Sequence, residues 1–174
     1  MKKYFFVLLS SVLVLVATMA FASQSEQVQP AQGKIKEGAV APDFSLVGID
    51  GKEVKLSDYK GQYVVLDFWG TWCGWCIKGI PEMKKMYEKY GDKVEIIGIA
   101  CGDKEEVWRA TVEKQELPWV NVLDYDRGSD KSLATIYEIR GYPTKMIIAP
   151  DGTIYKIVLG ESPLFYEAIE ELMK

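Results

Sequence analysis

Two cysteines three positions apart, in Cys73-Gly74-Trp75-Cys76, are the residues of this chain whose type and spacing most directly suggest a reaction. Such a pair can cycle between dithiol and disulfide, close a permanent disulfide, or supply half of a zinc site. Zinc needs four ligands. With no histidine, and Cys101 as the one remaining thiol, a thiolate or imidazole site cannot be completed within one chain. The missing histidine also removes His-based triads and imidazole ligation of haem or metal. Cys73 falls between a strand pattern and a helix pattern, so it is expected at a helix N-terminus, where free amide N–H groups and the helix dipole stabilise a thiolate. It is the expected nucleophile. Cys76 lies one turn further in, on the apolar face, where burial disfavours its thiolate until it attacks a mixed disulfide. It is the expected resolving thiol.

The elements that hold the pair can be read from periodicity. Residues 63–69, Tyr-Val-Val-Leu-Asp-Phe-Trp, are almost continuously apolar and suit a central strand buried on both faces. Cys76, Ile80, Met83, Tyr87 and Tyr90 then recur at helical spacing up to Gly91, with Pro81 expected to kink that helix. Residues 94–100 form a second buried strand, 104–115 a helix, 119–123 a short apolar segment and 130–138 a short helix. Two hairpins are expected, 43–49 with 52–56 about Asp50-Gly51, and 144–149 with 153–159 about Asp151-Gly152, since Asp-Gly favours tight turns. A final helix starts at Ser162 as N-cap and Pro163, with Leu164, Phe165, Ala168, Ile169 and Leu172 facing inward. The sum is an α/β domain with a mixed sheet of about five strands and helices on both faces.

Three tryptophans crowd the cysteines. Trp69 is expected in the core or as a wall beneath the site. Trp72 and Trp75, with Gly74 between the cysteines, are expected to offer an apolar surface to a partner chain. Cys101, after a buried strand, reads as a small buried hydrophobe. The acidic run 167–171 reads as a solvated face.

The segment Phe68-Trp69-Gly70-Thr71-Trp72-Cys73-Gly74-Trp75-Cys76 resembles the active-site stretch of the thioredoxin superfamily. Ala41-Pro42-Asp43-Phe44, Leu56-Ser57-Asp58, Lys60-Gly61, Gly141-Tyr142-Pro143-Thr144 and Asp151-Gly152 are similar to the exported TlpA/ResA-type, AhpC/TSA-related branch, in order and from about residue 38 to the end. The resemblance implies a thioredoxin-like fold with an N-terminal hairpin and an extra helix-strand unit at 101–125. It also implies that Pro143 is the cis-proline facing the cysteines, and that the backbone of Tyr142 pairs with a bound substrate. Asp67, six residues before Cys73, matches the buried acid of thioredoxin, where desolvation would raise its pKa and let it exchange a proton with Cys76. Two departures stand out. Gly79 takes the place of a glutamate found in ResA-like proteins, which weakens a specialised haem-maturation role. Residues 94–100 lack the lysine that pairs with the acid in thioredoxin.

Residues 1–22 read as a secretory signal, with Lys2 and Lys3, an apolar run over 5–20 and Ala20-Phe21-Ala22 as a cleavage site. An uncleaved membrane anchor is the alternative, although the run falls short of the roughly 18–20 residues of a spanning helix. Either places the domain outside the cytoplasm, in the periplasm. Residues 23–38, rich in Gln, Ser and Glu, read as a flexible leader, and 39–174 as the thioredoxin-like domain. The formal charge of -4 becomes -6 once the two signal lysines are removed. No basic footprint for nucleic acid is present.

These readings converge on an extracytoplasmic thiol-disulfide oxidoreductase, reducing or isomerising protein disulfides. Its site would comprise Cys73, Cys76 and Asp67, with Trp72, Gly74, Trp75, Tyr142 and Pro143 contacting substrate. The redox-active disulfide would serve without a further cofactor. The expected partners are protein disulfides and a membrane thiol carrier as electron donor, with the domain a monomer. Two other readings stay open: a net oxidant of secreted proteins, and a non-catalytic Cu(I)-binding module, which the missing histidine disfavours. A peroxidase is disfavoured because Leu66, not proline, stands seven residues before Cys73.

Overall fold

The computed structural model describes residues 35–126 and 128–174. The expected signal segment and most of the leader lie outside the described residues. The last leader residues belong to the fold: the Gly38 N–H donates to the Ile154 carbonyl at 2.7 Å, the Ile157 N–H donates to the Glu37 carboxylate at 3.1 Å, and Ile35 packs against the core.

Among the described residues, seven strands and four helices follow in order: β1 (Ser45–Val47), β2 (Glu53–Lys55), β3 (Tyr63–Trp69), α1 (Gly74–Tyr90), β4 (Val94–Cys101), α2 (Glu105–Lys114), β5 (Val120–Asp124), α3 (Leu133–Ile136), β6 (Thr144–Ile148), β7 (Ile154–Leu159) and α4 (Pro163–Leu172). β1 and β2 form the first hairpin as a separate antiparallel ribbon, with Gly51 in its turn at φ 82°. Strands β5-β4-β3-β6-β7 form the main sheet, and the uninterrupted apolar run of β3 takes its centre. β4 runs parallel to β3 and β5, whereas β6 is antiparallel to β3 and β7. This is the mixed α/β architecture expected, with α2 and β5 as the extra helix-strand unit.

The period of two along β3 divides its side chains between the faces. Val64, Leu66 and Phe68 pack with Ile97, Ile99, the hairpin residues Val54 and Leu56, and Leu133 and Tyr137 from the α3 region. Val65 faces the other way, against Met83 and Met86 of α1 and Phe165 and Ile169 of α4. Further along that second face, Trp69 joins Cys73, Cys76, Ala100 and Trp108 of α2. Asp67 comes between Val65 and Trp69 on the same face.

Two expectations change in detail. The buried stripe of α1 runs through Met86, while Tyr87 and Tyr90 are only half-buried. Pro81 lies inside α1, which extends from Gly74 to Tyr90. On α4, Phe165 and Ile169 are fully buried but Leu164 is 59% exposed. As the second helical residue it follows Pro163 on the outward side of the first turn. The Ser162 hydroxyl caps α4 by accepting from the Leu164 N–H at 3.3 Å.

Candidate active site

Cys73 is the N-cap of α1, and its Sγ accepts from the Cys76 N–H at 3.1 Å. The first turn of α1 carries no acidic residue, so the positive end of the helix dipole acts on Cys73 unopposed from within the helix. Cys73 and Cys76 form a disulfide with an S–S distance of 2.09 Å. Both are buried in this oxidised state, while Gly74 and Trp75 between them are exposed.

The approach to the pair is shaped by backbone that only glycine permits at one point. A Cβ on Gly70 would stand 2.5 Å from the Trp72 indole nitrogen. Its absence lets the indole fold back, and Trp72 Nε1–H donates to the Cys101 carbonyl at 3.1 Å. The neighbouring Thr71 is held on both its amide and its hydroxyl by the Asp103 carboxylate, the amide bond being 2.9 Å. Gly70 lies within the thioredoxin-like segment, but its steric role toward Trp72 emerges only from the packing. Asp103, an acid after a strand, carries no local sequence signal.

The Tyr142–Pro143 peptide bond is cis. Tyr142 packs against the cluster that contains both cysteines, and its ring meets Trp72 edge-on at a centroid distance of 5.0 Å. Cys73, Cys76, Trp72, Tyr142 and Pro143 are therefore brought together from two distant parts of the chain. Trp72 is 47% exposed and Trp75 67%, whereas Trp69 is buried below them. The Lys78 ammonium lies 4.9 Å from the Trp75 ring. Cys101 is fully buried and outside any disulfide.

Beneath this surface lies a buried charged group. Asp67 is buried, and desolvation pushes its carboxyl above the ordinary aspartate range, while Lys145 pulls it down and Glu161 pushes it up. Lys145 is directly opposite Asp67 in the β3–β6 ladder and is only 3% exposed. Its ammonium is 3.8 Å from Asp67 Oδ1 and 2.8 Å from Glu161 Oε2. Glu161 Oε1 in turn accepts from the Tyr166 hydroxyl at 2.6 Å. A lysine does accompany the buried acid, but from β6 rather than from β4. The sequence signal was a single lysine inside an otherwise apolar strand, which must be paired if buried.

Gly79 also has a structural occupant. A Cβ there would come within 2.2 Å of Glu161 Oε2, so the Glu161 carboxylate rests directly against the bare backbone of α1. The second buried acid, Asp124, is satisfied by the Ser132 hydroxyl at 2.8 Å and the Ala134 N–H at 3.1 Å, whereas Asp67 Oδ1 has no hydrogen bond.

Residues 38–157 match the AhpC/TSA family. The chain is 32% identical to the thiol-disulfide oxidoreductase ResA of Bacillus subtilis, over 91% of this chain and 87% of that protein. The crystal structure of the thioredoxin domain of a thiol-disulfide oxidoreductase from Bacteroides vulgatus superposes with a TM-score of 0.72 at 31% identity, covering 80% of this chain and 99% of that one. The solution structure of a thiol:disulfide interchange protein from a Bacteroides species gives 0.71 at 29% identity, over 82% and 93%. With a helix-capping disulfide on a thioredoxin-like sheet, the chain belongs to the AhpC/TSA family and, within it, to the thiol-disulfide oxidoreductases.

Proposed function

We propose that this chain reduces or isomerises disulfides of proteins outside the cytoplasm, with Cys73 as nucleophile and Cys76 as resolving thiol. The observation that carries the reading is the double position of Cys73, which caps α1 and forms half of the disulfide. In the dithiol form the Cys73 thiolate attacks one sulfur of a substrate disulfide. That S–S bond breaks, a mixed disulfide forms, and the first substrate sulfur leaves as a thiolate that takes up a proton. Cys76 then loses its proton and attacks Cys73 Sγ, releasing the second substrate thiol and closing the Cys73–Cys76 disulfide. Two electrons have passed from the pair to the substrate.

Asp67 serves as the proton partner of Cys76. Burial raises its pKa, so it holds a proton more readily than an exposed aspartate, and it shares a sheet face with Trp69, whose cluster holds both cysteines. Tyr142 and Pro143 offer backbone to an extended substrate, and Trp72, Gly74 and Trp75 form the contact surface around it. Location outside the cytoplasm rests on the signal-like residues 1–22. Regeneration there falls to a membrane thiol carrier, since no nucleotide-binding motif is present in the sequence. The test is insulin-disulfide reduction with Cys73→Ser and Cys76→Ser. Cys73→Ser is expected to abolish turnover, and Cys76→Ser to accumulate mixed disulfides with client proteins. Full activity in Cys73→Ser would refute the mechanism.

A further inference from the structure

We propose that Glu161 is a positioning residue for the redox pair: by engaging Lys145 it keeps that lysine from pairing closely with Asp67, and so holds Asp67 in its proton-carrying form beneath the cysteines. This inference rests on Asp67 being the proton partner of Cys76, and adds the groups that set its state.

The geometry is a competition for one cation. Two carboxylates, Asp67 and Glu161, face one ammonium, Lys145, in a region where Lys145 is 3% exposed. One cation cannot compensate two carboxylates equally, and the one held farther from it and deeper from water is the one whose charged form burial disfavours. Glu161 is the better-stabilised anion, with the lysine at 2.8 Å, the Tyr166 hydroxyl at 2.6 Å and 22% side-chain exposure. Asp67 has the lysine only at 3.8 Å, no hydrogen bond on Oδ1 and 11% side-chain exposure. Of the two, Asp67 is therefore the carboxyl placed to carry the proton, in line with the upward push of its burial.

The neighbouring elements agree with this division. β4 places Gly98 opposite Asp67 and contributes no charge there. β6 contributes Lys145, the turn after β7 contributes Glu161, and α4 contributes Tyr166. Lys78 and Glu82 of α1, and Glu167 and Glu170 of α4, line the open cleft into which Glu161 and Tyr166 face. Glu161 reaches Lys145 because residue 79 has no side chain. Gly79 lies three residues after Cys76, on the buried face of α1, and its missing Cβ is the space that the Glu161 carboxylate fills.

The test follows the Asp67 carboxyl by ¹³C NMR titration of the reduced protein, assigned with Asp67→Asn, alongside the pH profile of insulin-disulfide reduction. Glu161→Gln removes the competing charge and frees Lys145, so the Asp67 midpoint is expected to move down. Gly79→Ala is expected to move it down as well, because the added methyl displaces the flexible end of Glu161 and an alanine suits the helix. Lys145→Met is expected to move it up. A merely structural role would not produce opposite shifts. An unchanged Asp67 midpoint in Glu161→Gln and Gly79→Ala overturns the inference, and these two variants decide it should Lys145→Met not fold. Opposite midpoint shifts with an unmoved turnover profile uphold the role of Glu161 and instead remove Asp67 from the reaction.

Discussion

Asp67 and Lys145 stand directly opposite each other across the β3–β6 ladder, yet the lysine lies 1 Å nearer to Glu161, at 2.8 Å against 3.8 Å. A buried acid left without close compensation stores free energy that depends on pH. Burial raises the Asp67 pKa in the folded state above its value in the unfolded chain, so the folded protein binds the proton more tightly. Stability contributed by this group is present at low pH and is lost as the pH rises through the folded-state pKa. Asp67→Asn is expected to abolish that loss. In chemical denaturation the variant should match the parent below about pH 3 and exceed it increasingly as the pH rises toward the folded-state pKa, by about 1.4 kcal/mol in the end for each unit of upward shift. A constant difference at every pH would contradict the account.

The loop before the disulfide is fastened at Asp103. Its carboxylate receives both the amide and the hydroxyl of Thr71, next to the Trp72 indole that bonds to the Cys101 carbonyl. Asp103→Ala is expected to lower stability by about 1–2 kcal/mol and to speed hydrogen exchange at the Thr71 amide. Thr71 exchange as slow as in the parent would show that the loop is held by other contacts.

Trp75 is 67% exposed and contributes little to the core. Trp75→Ala is expected to change folding stability by no more than about 0.5 kcal/mol. KM for a protein disulfide should rise about five-fold, equivalent to about 1 kcal/mol of lost contact, while reduction of a small aromatic disulfide is unchanged. Equal effects on both substrates would assign the residue to the chemistry of the pair instead.

Much of this architecture could be read before any coordinates. The apolar run of β3 has one place to go, the centre of a sheet, and Asp-Gly turns with compatible flanks mark both hairpins. The Cys-x-x-Cys at a strand-to-helix junction makes Cys73 the expected nucleophile through helix electrostatics. The remainder is relational. The resemblance puts a lysine partner for the buried acid on the strand following α1, whereas Lys145 lies nearly eighty residues beyond Asp67, and strand order decides that β6 rather than an edge strand adjoins β3. Glu161 sits in a turn whose sequence resembles any solvated acid. Its role depends on a gap in α1 at Gly79, which only the packing of α4 beside α1 reveals. Helical periodicity places a stripe on α4 but does not say which of its flanking residues the neighbouring sheet reaches, and Leu164 lies beyond that reach.

Donation of electrons by the Cys73–Cys76 pair to protein disulfides can be checked through the equilibrium reduction potential of the pair in thiol buffers of defined ratio. A value near about -270 mV, in the range of thioredoxin, is the predicted result and requires a reducing feed from the membrane. A value near about -120 mV would mean that the dithiol is the unusually stable form, and would contradict the proposed direction of electron flow.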